Sequence, residues 1–199
     1  MAHRPVAPAG LDALALLELT SIARGYRVLD WMVKEAPVTI VEANLVEPGK
    51  YLILFGGGVA ETVASFDKGA ALCEGVLVDK LLLPLAHPRI WACLSGDESL
   101  GNADCVGIIE GNAIAAVIEA ADRSAKEADV HLAGLRLSPA LGGKAYYVVT
   151  GEQYSVEAAV EVGRGVLEPR GRLVDTQIIP RAHAEFLPWV LRRAPFGGS

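Results

Sequence analysis

The sequence predicts an α/β (α+β) fold made of two tandem copies of one β-α-β-β-α-β unit. Three observations lead to this prediction: apolar strand patterns alternate with helix-length amphipathic segments, a tight Gly-Lys loop occurs twice, and matching residue types return at nearly constant spacing. The 199 residues are enough for two units of about 90 residues, each able to fold around its own core.

The first half predicts a regular order of strands and helices. An apolar strand at 14–19 ends at Thr20-Ser21, a typical helix N-cap, so a helix is expected over 22–35. Pro37 ends that helix, because the residue before a proline is disfavoured in the helical region. The remaining predicted elements are a hairpin of strands 38–45 and 51–55 around Glu47-Pro48-Gly49, a helix at 59–74, a strand at 76–83 and a short closing helix at 87–94.

The second half repeats this order after a small polar linker at 95–104. Asp30 and Lys34 return 92 positions later as Asp122 and Lys126. Other features return at larger spacings: Gly49-Lys50 as Gly143-Lys144 after 94 positions, and Glu61, Gly69, Leu77-Val78-Asp79 and Pro84-x-Ala86-His87 as Glu157, Gly165, Leu173-Val174-Asp175 and Pro180-x-Ala182-His183 after 96. Because the spacing grows at only two places, we expect a duplicated domain with small loop insertions.

The composition argues against several classes of protein. A net charge of −6 is unfavourable for binding nucleic acid, and the richest apolar run, at 75–86, is much shorter than the roughly 20 residues of a membrane span. The first ten residues lack the apolar core of a secretory signal. Cys73, Cys93 and Cys105 show no C-x-x-C spacing, so we expect buried thiols in a reducing cytoplasm.

The glycines Gly56-Gly57-Gly58 follow an apolar strand and precede a helix, which raises the question of nucleotide binding. A dinucleotide fingerprint needs a third glycine at the position of Glu61, and a phosphate-binding loop needs Ser or Thr after Gly-Lys. The sequence has neither, and the second copy places Glu152 where a phosphate would bind. These glycines therefore predict a tight strand-to-helix turn.

Four repeated side chains are candidates for catalysis or metal binding. His87 and His183 could act as ligands or bases, and Glu18 and Glu110 stand at strand ends. No further ligand-type residue recurs beside the histidines at metal-binding spacing, so surface or interface histidines are expected. The two glutamates lack a visible recurring partner, and a hydrogen bond to nearby backbone or to another subunit is expected. We therefore expect no catalytic residue, no metal site and no enzyme.

Several of these features carry a resemblance to a known family. They are Leu16-Leu17-Glu18-Leu19-Thr20, Asp30-Trp31-Met32-Val33-Lys34-Glu35-Ala36, the short glycine loop, the Gly57 turn and Pro180-Arg181-Ala182-His183-Ala184-Glu185. Together they resemble the bacterial microcompartment shell-protein domain, in the tandem, trimer-forming type with unpermuted order. The resemblance implies ferredoxin-like domains at 11–95 and 104–193, and a homotrimer whose six similar domains form a pseudohexameric disc.

The resemblance also implies roles for individual residues. The pore at the centre of the disc would be lined by Glu47, Pro48, Gly49, Leu141, Gly142 and Gly143. The edges that meet other hexameric tiles and pentameric vertices would include Lys34, Lys126, Arg181, His87 and His183. Three Glu47 carboxylates would disfavour anions, while small cationic or neutral metabolites pass. Leu85 stands where the first domain would carry the edge arginine, so the two kinds of edge should differ.

Some tandem members of that family carry a pore-loop cysteine that holds an iron–sulfur cluster. Neither loop here contains a cysteine, so we expect no cofactor. Two other functions are considered. A trimeric small-molecule-binding regulatory protein of similar fold would need long loops at clefts between subunits, whereas these loops are short. An enzyme would have to use Glu18 or Glu110 with His87 or His183.

Overall fold

The computed structural model describes residues 11–137 and 142–192. The chain forms two compact units that separate in sequence between Ala86 and His87. The first unit contains β1 (Ala13–Leu19), α1 (Ile22–Glu35), β2 (Thr39–Val46), β3 (Lys50–Gly57), α2 (Val59–Leu72) and β4 (Leu77–Leu83). The second contains α3 (Pro88–Ser95), β5 (Cys105–Gly111), α4 (Ile114–Glu127), β6 (His131–Leu137), β7 (Ala145–Gly151), α5 (Gln153–Leu167), a 3₁₀ turn (Glu168–Arg170), β8 (Leu173–Pro180) and α6 (Leu187–Val190).

Each unit has a four-stranded antiparallel sheet with the same strand order. The orders are β2-β3-β1-β4 and β6-β7-β5-β8, which confirms two tandem β-α-β-β-α-β units. The registers also match, because equivalent positions of the two repeats are paired: Ala15 with Phe55 in one sheet, and Gly107 with Val149 in the other. Among the described helices, none is long and apolar enough to cross a membrane.

Helix α1 forms over the residues that the sequence predicts. Its N-cap is Ser21, whose Oγ accepts a hydrogen bond from the Arg24 N–H at 3.2 Å. Such a cap satisfies a backbone donor that has no partner within the helix. The apolar side of α1 packs with α2 onto one face of the sheet, around Met32, Phe55 and Phe66.

The two helices of each unit cross at a serine, although the serine comes from different helices. In the first unit the Ser65 Oγ of α2 donates to the Met32 carbonyl at 3.1 Å. In the second unit the Ser124 Oγ of α4 donates to the Ala159 carbonyl at 2.7 Å. Met32 corresponds to Ser124 and Ser65 to Ala159, so the same hydrogen bond runs in the opposite direction.

The predicted matches of Glu61 with Glu157 and of Gly69 with Gly165 are both wrong. Helices α2 and α5 begin 94 positions apart, not 96, and Gly69 and Gly163 lie at equivalent close approaches. A Cβ on Gly69 would lie 2.6 Å from the Met32 sulfur, and one on Gly163 would lie 2.1 Å from the Tyr147 hydroxyl and 3.4 Å from the Ser124 Oγ. The second insertion follows the start of α5, and the 3₁₀ turn after α5 accommodates extra residues.

The short helix predicted at 87–94 forms as α3 and belongs to the second unit, instead of closing the first. Its Arg89 donates to the Leu132 carbonyl of β6 from Nε at 3.2 Å and from Nη2 at 3.1 Å. The second compact unit therefore begins at His87. The domain limits 11–95 and 104–193 remain a prediction.

Two glycines of α5 give a paired test of this packing. We expect Gly163→Ala to lower the free energy of unfolding by about 1–3 kcal/mol, because its Cβ would overlap the buried Tyr147 hydroxyl. Gly165→Ala, two residues along, should instead raise it by roughly 0.5–1 kcal/mol, since nothing lies within 4 Å and alanine favours helix. Urea unfolding at fixed protein concentration measures both. Equal effects of the two substitutions would contradict the packing described.

Candidate functional site

The loop between β2 and β3 is a tight three-residue connection. Val46 pairs with Lys50 across the hairpin, and Glu47, Pro48 and Gly49 form the exposed turn. Gly49 has φ +76°, in the left-handed region that glycine adopts without steric cost. A Cβ on Gly49 would meet nothing within 4 Å, so the backbone conformation, not a lack of space, explains the glycine.

The corresponding loop between β6 and β7 is longer. Leu137 pairs with Ala145, so seven residues lie between them, compared with five between Leu45 and Tyr51 of the first unit. This two-residue insertion accounts for the first increase in the repeat spacing. Gly142 and Gly143 have φ values of +61° and +82°. The predicted pore residue Leu141 lies outside the described residues.

A lysine next to each loop forms an ion pair with the glutamate that ends a central strand. Lys50 Nζ lies 2.6 Å from Glu18 Oε1, and Lys144 Nζ lies 2.9 Å from Glu110 Oε1. The sequence-based expectation that these glutamates have no recurring partner is therefore wrong. The sequence did indicate these partners, because the lysine and the glutamate both recur in the second half. Antiparallel pairing of β1 with β3 then brings positions 18 and 50 close together.

The two ion pairs differ in their burial. The Glu18 side chain is wholly buried and its lysine is only 17% exposed, whereas Lys144 is 50% exposed. A buried carboxylate loses its hydration, and a close cation offsets that cost only while both partners remain. No described residue hydrogen-bonds the second carboxylate oxygen of Glu18, which increases its dependence on Lys50. The first loop is thus anchored by a buried charge pair, and the second by a solvated one.

The candidate histidines cap turns at the ends of the two repeats. His87 Nδ1 accepts the Arg89 N–H, and His183 Nδ1 accepts the Glu185 N–H, each at 3.2 Å. Burial lowers the pKa of His87, which favours the neutral ring that such a cap requires. Within residues 11–137 and 142–192, no group of three His, Cys, Asp or Glu side chains could hold a metal ion. The sequence analysis did not predict this capping role. The available signal was the repeated Pro-x-Ala-His segment, which places both histidines in the same kind of turn.

The other candidate edge residues lie on helix ends and on one strained turn. Lys34 binds Asp30 and Lys126 binds Asp122, each at 2.6 Å across one helical turn. Arg181 is exposed and has φ +48°, a conformation that is uncommon for a residue with a side chain and is often retained for function. Leu85, its counterpart in the first unit, is also exposed.

The three cysteines are free and buried, and each lies outside the two loops. Burial raises the pKa of all three thiols, to about 11 for Cys73. The thiolate is the form that binds metals, so these positions are poor metal ligands.

Comparison with known proteins identifies the class to which this fold and these loops belong. The BMC domain model matches residues 13–86 and again 105–182. The chain therefore belongs to the bacterial microcompartment shell-protein family, as a member with two BMC domains in tandem. It is 38% identical over 172 residues to the bacterial microcompartment shell protein PduT of Citrobacter freundii, which covers 86% of this chain and 94% of that protein.

Three further comparisons agree with this fold, and the first two also agree with the family. The carboxysome assembly protein CcmO of Synechocystis is 30% identical over 186 residues, which is 85% of this chain but only 61% of that longer protein. The crystal structure of a microcompartment protein from Desulfitobacterium hafniense superposes with a TM-score of 0.79 at 36% identity, over 90% of this chain and 99% of that one. A fused permuted hexameric shell protein of the RMM microcompartment, at 18% identity and a TM-score of 0.56 over 78% of this chain and 81% of that one, shares the fold.

The unequal burial of the two ion pairs generates a test. Lys50→Ala is expected to destabilise the first unit by about 3–5 kcal/mol, because it leaves the Glu18 carboxylate buried without a cation. Lys144→Ala, the matched control, should cost less than about 1 kcal/mol, since both partners of that pair reach solvent. Native-state hydrogen exchange measures the free energy of unfolding of each unit separately.

A double variant separates charge from packing. Glu18→Leu with Lys50→Met should recover most of the stability that Lys50→Ala loses, because no charge then remains buried. A double variant as unstable as Lys50→Ala would show that the charge pair is not the cause.

Proposed function

We propose that three copies of this chain close into a ring and form a pseudohexameric tile of a microcompartment shell. The observation that carries the proposal is the equivalence of the two units, which share strand order, register and a Lys–Glu anchor beside the loop. Six similar domains can occupy the six positions of a ring, because head-to-tail contacts close when the rotation divides a full turn. Relatives named as shell proteins support the same conclusion.

In this tile the two kinds of loop surround a central pore. The lining residues are Glu47, Pro48 and Gly49 from the first unit and Leu141, Gly142 and Gly143 from the second. The exposed Glu47 gives the pore one carboxylate per chain, which favours cations and neutral polar metabolites over anions. The buried Glu18–Lys50 pair supports the proposal, since it fixes the strand that leads out of the Glu47 loop.

The rim of the tile contacts neighbouring hexameric tiles and pentameric vertices in the shell, inside the cytoplasm. Contact residues in this proposal are Lys34, Lys126, Arg181, His87 and His183. Arg181 is charged and Leu85 is apolar, so alternate edges differ in chemistry. The protein has a structural and transport role in this scheme, without catalysis.

The native mass in solution tests the ring. Light scattering should give about 63 kDa, three times the 21.0 kDa of one chain. A value twice as large would indicate stacked trimers, and a value near 21.0 kDa would contradict the tile.

A cysteine variant tests the position of the first loop. In Glu47→Cys, three new thiols should lie around one axis, so a short bis-maleimide should join chains in dilute protein. The buried native cysteines leave the background low. The control is Glu74→Cys, an exposed position after α2. Denaturing gels should show linked chains for Glu47→Cys alone, and equal linking in both variants would place the loop away from the axis.

A further inference from the structure

The turns that end the two repeats are built alike, bond by bond. In each, an alanine N–H donates to an aspartate carbonyl before the first strand, and the histidine carbonyl accepts an N–H three residues later. The hydrogen bonds are Ala86 to Asp12 at 3.2 Å and Ala182 to Asp104 at 3.3 Å, and Ile90 to His87 and Phe186 to His183, both at 2.9 Å. Together with the two histidine caps, these bonds make His87 and His183 structurally equivalent.

One hydrogen bond is made in only one of the two turns. The backbone N–H of His87 donates to Asp122 Oδ1 on α4 at 2.7 Å, while Oδ2 of the same carboxylate accepts from Lys126 at 2.6 Å. In the described part of the chain, no residue accepts a hydrogen bond from the backbone N–H of His183.

The matching acceptor is present on α1. Asp30 corresponds to Asp122, and its Oδ2 binds Lys34 at 2.6 Å as Asp122 binds Lys126. Its Oδ1 makes no hydrogen bond within the described residues. The Asp30 side chain is 55% exposed, whereas that of Asp122 is 3% exposed. One copy of the arrangement is therefore complete, and in the other neither the donor nor the acceptor has a hydrogen-bond partner among residues 11–137 and 142–192.

The helix surface around each aspartate shows the same contrast. Ile22, Tyr26 and Val33 lie on one stripe of α1 with Asp30 and are exposed. The corresponding residues of α4, Ile114, Ile118 and Ala125, are buried. Exposed apolar side chains beside an open hydrogen-bond acceptor mark a surface that a protein partner covers.

We propose that Asp30 of one protomer accepts a hydrogen bond from the backbone N–H of His183 of the next protomer. The turn at His183 then covers the Ile22–Tyr26–Val33 stripe of its neighbour, as the His87 turn binds α4 within one chain. Donor and acceptor belong to different surfaces, so the contact is heterologous and repeats around a ring. The inference rests on the proposed trimer and names the bond that joins its protomers.

Sedimentation of a dilution series tests the bond. Asp30→Ala should weaken each of the three contacts by about 10- to 100-fold, the usual effect of losing a hydrogen bond to a charged group. Because the midpoint varies as the square root of the monomer–trimer dissociation constant, the protein concentration at which the trimer is half dissociated should rise by about 30- to 1,000-fold. Asp30→Asn retains an oxygen acceptor and should lie between Asp30→Ala and the wild type. Asp67→Ala removes an exposed carboxylate from α2 and serves as the control for the charge change.

Hydrogen exchange gives a second measurement, made on the wild-type protein and on Asp30→Ala. The His183 amide should be protected in the trimer, and that protection should be lost in Asp30→Ala. A wild type that is monomeric would overturn the trimer and this bond together. A wild-type trimer in which Asp30→Ala changes neither dissociation nor His183 exchange would overturn this bond alone, with the proposed function intact.

Discussion

The ion pair between Glu18 and Lys50 is the interaction on which the first loop depends. The carboxylate has no exposed surface and lies one residue before the end of β1, a central strand, and the lysine is the first residue after the loop. Removing either charge leaves the other in a poorly hydrated site, so the pair specifies one position of the loop rather than adding much net stability. A defined loop position is what the proposed pore would require.

The second unit has the same pair with less constraint. Lys144 and Glu110 share their charges with solvent, and two successive glycines with positive φ precede the lysine. Duplication has thus produced two loops with the same anchor but different burial and length. In the proposed trimeric ring the two loop types would alternate around the axis, which a ring of six identical single domains cannot do.

Much of the fold follows from sequence patterns that act locally. The bounds of α1 match the prediction because Ser21 caps its start and Pro37 limits its end. The hairpin at Glu47-Pro48-Gly49 is equally local. The tandem arrangement is predictable because motifs return in order, although the exact spacing inside a helix is not: the structure matches Gly69 with Gly163, two residues before the predicted Gly165.

What sequence reasoning missed depends on contacts between distant segments. The Glu18–Lys50 pair spans 32 positions and becomes visible only when β1 is aligned with β3. Likewise, α3 follows the first repeat in sequence, but the Leu132 carbonyl that binds Arg89 belongs to the second. The proposed pore and edge roles depend on contacts with other subunits, which no pairing of segments within one chain's sequence encodes.

The reversed serine bond at the helix crossings has an evolutionary consequence. Exchanging α1 with α4 would place Ser124 against Ser65 in one unit and Met32 against Ala159 and Tyr147 in the other. One crossing would then hold two hydroxyls, and the other would crowd a thioether against a tyrosine with no serine donor. A recombination between the two repeats that exchanged these helices would therefore cost one of the two crossings its hydrogen bond.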